Sequence, residues 1–180
     1  ITLLGDTLKF VAGPQTDYFR SPDGSVVNNS AVIFTEVDNT KPFTFTAKVQ
    51  PEFTETGTYS AGVIYAYEND THCQKLCFEQ DEYGDHRVVS VRTLGTSDDN
   101  NHQAITAPYV YMRLSSDGTT LGSYFSEDGK IWRMARLYKN DFPEKLLIGI
   151  SSQSPKDNEH TCLFTEVSLT DKPVADFRKG

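Results

Sequence analysis

The stretch FTFTAKV, residues 43–49, alternates without a break: Phe43, Phe45, Ala47 and Val49 on one side, Thr44, Thr46 and Lys48 on the other. A two-residue period is that of a β-strand, and a strand with one apolar side must press that side onto a core. AVIFTEV, AGVIYAY, KLCFEQ, HRVVSVRTL, YVYMRLS, LGSYFS, KIWRMARLY, KLLIGISS and CLFTEVSL read in the same way. Between them stand turn-forming clusters: SPDG, DNTKP, ENDT, DEYGD, TSDDNN, SSDG, EDG, NDFPE and SPKDN. Short strands at such spacing bury their apolar faces by stacking two sheets or closing a barrel. The expected fold is all-β, a jelly-roll β-sandwich of two antiparallel sheets, as a single domain over residues 1–180. A short turn near NDFPEK is the nearest approach to a helix.

Composition narrows the partners. The net charge of −8 repels phosphate backbones, and no basic patch interrupts it, so nucleic acid is not an expected partner. No apolar run nears the ~20 residues of a membrane helix. Ile1 to Phe10 carry neither a basic start nor a long apolar stretch, so no signal peptide is expected there. The three cysteines are odd in number, and Cys73 and Cys77, on one strand, would lie about 13 Å apart, too far to bridge. Reduced thiols in the cytoplasm are the expectation. The sequons at Asn28 and Asn69 are of a kind that arises by chance.

Two Asp-Gly turns set the middle of the chain. A two-residue turn at Asp117-Gly118 places Leu114 opposite Leu121, Met112 opposite Ser123 and Val110 opposite Phe125, with Arg113 facing Gly122 and Tyr111 facing Tyr124. In YFSEDGKIW, a two-residue turn at Asp128-Gly129 sets Trp132 opposite Phe125, on the core side. One more loop residue, with Gly129 left-handed, sets it opposite Tyr124. A lone tryptophan is an ordinary sandwich core residue, so the shorter loop is the expectation. Ser126 and Asp128 suit the turn through bonds to their own backbone.

Few residues look like chemistry. Lys75 and Glu79 share a strand face with Cys73 and Cys77, and charges on such a face call for partners. Ser90 and Arg92 on the next strand could meet them, and Tyr111, Arg113 and Tyr124 could extend the same polar face. Lys75, Glu79, Arg92, Tyr111, Arg113 and Tyr124 are thus the candidate ligand-binding set; a structural ion-pair network or a solvated outer face is the competing reading. In EQDEYGD, Glu79 and Asp81 begin a glycosidase-like pattern, but Tyr83 and Gly84 stand where the third carboxylate belongs. His72, Cys73, Cys77, His86, His160 and Cys162 lack metal-ligand spacing, and no nucleophile motif or phosphate-cradling loop is present. No catalysis, cofactor or metal is expected.

Several segments, taken in order, carry a resemblance: LKFVAGPQTDYF, the Lys75-x-x-x-Glu79 element within CQKLCFEQDEYGDHRVVSVRTLGTSD, YVYMRLSSDG, YFSEDGKIWRMARL and IGISSQSP. Over roughly residues 8–167 the chain resembles a concanavalin A-like family of largely unknown function, whose fungal branch is named for regulation of enolase. The resemblance implies a jelly roll with a concave face and a non-catalytic cytoplasmic protein that controls a glycolytic enzyme. Lectins, glycoside-binding modules and some glycosidases share such folds, so a carbohydrate-binding module using the concave face is the alternative, and a glycosidase is the third reading. Two aromatic positions of the family pattern are missing, a Trp ahead of Lys75 and a Trp after Ser97-Asp98.

Overall fold

The computed structural model describes residues 1–180. Fifteen strands follow in order: β1 (Thr2–Leu4), β2 (Thr7–Ala12), β3 (Tyr18–Arg20), β4 (Val26–Asn28), β5 (Ile33–Asp38), β6 (Phe43–Pro51), β7 (Ala61–Asn69), β8 (His72–Gln80), β9 (His86–Leu94), β10 (Thr96–Ala104), β11 (Val110–Ser116), β12 (Thr120–Ser126), β13 (Arg133–Lys139), β14 (Lys145–Gln153) and β15 (His160–Thr170). They form a seven-stranded sheet, ordered β1-β2-β15-β6-β11-β12-β13, and a six-stranded sheet, ordered β10-β9-β8-β7-β14-β5. Every pairing is antiparallel. The fold is an all-β jelly-roll sandwich, and NDFPEK forms no helix.

Alternation explains the core. In β6 the residues Phe43, Phe45, Ala47 and Val49 are buried while Thr44, Thr46 and Lys48 are only partly so. They join Val110, Met112 and Leu114 of β11, and Ile64, Leu76 and Val88 from the opposing sheet, in one inter-sheet cluster of 22 buried residues. Gly62 of β7 lets the sheets approach closely. A methyl there would collide with Cys162 Sγ and Val49 Cγ1 of the facing sheet.

The six-stranded sheet is apolar on both sides. Six consecutive residues of β7, Ala61 to Ala66, are buried, so AGVIYAY is not a half-buried strand. Its outer side, with Cys77, Val89 and Val91, forms a second cluster of six buried residues. That side is covered by the separate β3-β4 hairpin. Tyr18 meets Tyr65 and Tyr67 edge-on at 6.1 and 5.9 Å. Arg20 donates its backbone N–H to Ser97 Oγ and its Nε–H to the Gly95 carbonyl.

Two local expectations change. TSDDNN is not a turn but the body of β10, an edge strand paired only with β9. Edge position is where a strand tolerates such charge. The β11-β12 register slips by two residues: Leu114 faces Ser123, Met112 faces Phe125 and Arg113 faces Tyr124. Asp117 Oδ1 accepts from the backbone of Thr119 and Thr120, which moves the turn one residue onward. A slip of two preserves the faces, so the apolar side is as expected.

Gly62→Ala should lower stability by about 1–3 kcal/mol through overpacking between the sheets. The urea midpoint measures it; an unchanged midpoint would mean that the sheets separate at no cost.

Candidate functional site

Between the outer side of the six-stranded sheet and the hairpin lies a cavity of about 910 Å³. The sheet supplies Lys75 and Glu79 from β8, Val89 and Val91 from β9, and Asp99 and Asn101 from β10. Antiparallel register aligns Asp99, Val91, Lys75 and Tyr65 in one row across four strands. The opposite wall comes from residues 17–29, among them Asp17, Phe19 and Val27, and Tyr59 and Gln153 close one end.

Lys75 is the centre of this arrangement. Its side chain is 4% exposed, and Nζ donates to Asp17 Oδ1 at 2.6 Å and to Gln153 Oε1 at 3.0 Å. Burial works against the ammonium, but the adjacent Asp17 carboxylate outweighs it and holds the group protonated above its ordinary range. Asp17 is fixed in turn by the hairpin base: its N–H donates to Asn29 Oδ1, and its carbonyl accepts from the N–H of Asn29. The ion pair thus fastens the hairpin to the sheet.

Glu79 lies half-buried in the same cavity and forms no ion pair. Its one side-chain hydrogen bond is from Gln153 Nε2, at 3.4 Å to Oε2. Burial raises its carboxyl to about 8; Lys75 pulls down, while the carboxylates of Asp99, Asp17 and Asp81 push up. Asp81 is committed elsewhere, to Arg87 at 2.6 Å and to the backbone N–H groups of Tyr83 and Asp85. Glu79 and Asp81 are therefore not a free carboxylate pair.

The other sequence candidates lie outside this cavity. Lys75 pairs with Val91 in register, so Arg92 points to the opposite side of the sheet with Gln74. There it holds Asp141 at 2.6 Å and packs 3.9 Å from the Tyr138 ring centroid, at the edge between the two sheets. Tyr111, Arg113 and Tyr124 stand on the outer side of the other sheet. Tyr111 donates to Glu166, Arg113 Nε–H donates to Thr46 Oγ1, and the buried Tyr124 donates to the Phe177 carbonyl. The expected six-residue pocket is thus split among three places. Trp132 is not in the core either: Arg113 lies 3.6 Å from its ring centroid on that same outer side. Residues 127–132 form a longer loop than the two-residue turn, with Gly129 at φ +71°. Asp128 Oδ1 accepts from the N–H groups of Lys130 and Ile131, the bonds to its own backbone that suit the turn.

Sequence reading missed Asp17, Tyr59, Gln153 and Asn101. Asp17 lay within the quoted PQTDYF, but nothing local marks it as the partner of a residue 58 positions away.

Residues 2–172 match the family described as a protein of unknown function, DUF1349. The chain belongs to that family. No curated protein matches it. A functionally unknown protein from Saccharomyces cerevisiae shares 23% identity at a TM-score of 0.84, with 94% of this chain and 90% of that one covered. The GH43 BlXynB protein of Bacillus licheniformis shares 14% identity at TM-score 0.70, over 92% of this chain and 33% of that one. Xylan beta-1,4-xylosidase from Bacillus halodurans shares 12% at TM-score 0.63, over 86% and 32%. The DUF1349 chain thus spans about a third of each of these two GH43 and xylosidase chains. At these identities the likeness is one of fold.

The raised Glu79 carboxyl gives a pH test. The folded chain binds this proton more tightly than the unfolded one, for which about 4.5 is ordinary. The stability it contributes is full below about 4.5 and lost as pH rises through about 8. Glu79→Gln should flatten this part of the pH–stability curve and be more stable than the parent above pH 8. Parallel curves for parent and variant in chemical denaturation would show that Glu79 is not held in this way.

Proposed function

We propose that this DUF1349 protein is a non-catalytic cytoplasmic regulatory protein that binds a small carbohydrate between β8 and the β3-β4 hairpin and acts on a glycolytic enzyme. The observation that carries the binding reading is the cavity itself. It is large enough for a sugar, it is lined mainly by polar side chains, and it contains a buried, hydrogen-bonded lysine. Phe19, Tyr59, Val89 and Val91 offer apolar surface beside these polar groups, the mixture that a sugar ring presents in return. The commitment of Asp81 to Arg87 supports a non-catalytic role. The free thiols of Cys73, Cys77 and Cys162 suit a reducing compartment. The resemblance of the chain to the regulation-of-enolase branch supplies the choice of partner.

Thermal unfolding against a panel of mono- and oligosaccharides tests the reading. At a hundredfold excess over Kd, a bound sugar adds about 2.7 kcal/mol, or about 5–11 °C for a chain of this size. A rise that grows with concentration is expected, and the saturated protein should then alter the rate of purified enolase. A flat response at tens of millimolar across the panel would refute carbohydrate binding.

A further inference from the structure

We infer that the ligand is an amine-bearing sugar, with its ring between Phe19 and Tyr59 and its ammonium group toward Glu79. This deepens the carbohydrate reading above and rests on it. The first support is which polar groups are already committed. Lys75 is held by Asp17 and Gln153, and Gln153 is consumed in turn: Oε1 accepts from Lys75, and Nε2 donates to the Tyr59 carbonyl. The charged groups of the cavity that form no ion pair are acidic by three to one, and Glu79 accepts only the 3.4 Å bond from Gln153 Nε2. Glu79 inside it, and Asp99 and Glu82 at its exposed margin, form no ion pair, whereas the remaining cation, Lys156, is an exposed residue of the wall. A carboxylate held in a low-dielectric site gains most from a cation brought beside it.

A second observation is independent of charge. The hydroxyl of Tyr65, fully buried on the cavity side of β7 and opposite Lys75 in register, has no hydrogen-bond partner. Buried polar atoms without partners are few in folded proteins, and the Tyr65 hydroxyl is one of six such atoms here. A metal ion does not fit the acidic groups, because no three His, Cys, Asp or Glu side chains come together as a metal set. Dispersed carboxyls beside aromatic and valine surface suit an organic cation with an apolar ring face. An ammonium group next to Glu79 also draws its carboxyl down from about 8, so binding near neutral pH releases a proton.

Calorimetric titration of the full chain at pH 7 tests this, using D-glucosamine, N-acetyl-D-glucosamine, D-glucose and D-glucuronate, each in two buffers of different ionisation heat. Glucosamine is expected to bind at least about tenfold more tightly than its neutral relatives, with proton release visible as a buffer-dependent heat. Glu79→Gln should reduce that preference to below about threefold and abolish the buffer dependence. Equal or tighter binding of glucose, N-acetylglucosamine or glucuronate would overturn the amine assignment and leave carbohydrate binding standing. An amine preference that survives in Glu79→Gln would overturn the role of Glu79. Absence of binding by all four, together with a flat oligosaccharide panel, would overturn both readings.

Discussion

A sheet has two faces, and a two-sheet sandwich covers only one of them. The six-stranded sheet is apolar on both, so it needs a third layer, and the ammonium of Lys75 ties that layer on. Removing one partner of such a pair leaves an uncompensated charge away from water, typically at about 3–5 kcal/mol. The same ammonium lines the cavity. Hairpin and cavity therefore share this contact, which acts beside the Tyr18 ring contacts with Tyr65 and Tyr67 and the Arg20 bonds to Ser97 and Gly95.

Much of the fold was legible because alternation is local. β6, β9 and β11 could be read from their own residues, and even the two-residue slip between β11 and β12 left every face in place. AGVIYAY carried a sign that went unread. It has no polar residue on either side until Tyr65 and Tyr67, which marks a strand buried on both faces and hence a covering layer.

The site was legible only in part, because it is made of long-range pairings. Lys75 and Glu79 were found, since their shared face follows from period two. Arg92 was misplaced by one residue of parity: the β8-β9 loop sets Lys75 against Val91, and sequence alone does not fix that loop's register. Trp132 went wrong for the same kind of reason, loop length after Ser126. Its ring is engaged by Arg113, and Tyr109 and Tyr111 stand edge to face at 86°. That aromatic surface offers no flat platform of parallel rings, which leaves the cavity under the hairpin as the better-formed site.

Backbone amide shifts, followed by NMR while the sugar giving the largest thermal response is titrated in, test the central claim most directly. The account predicts perturbations concentrated at residues 17–29, Lys75 to Glu79, Val89 to Val91 and Gln153. Perturbations centred on Arg113, Trp132 and the chain around Phe177, with the hairpin unmoved, would contradict it.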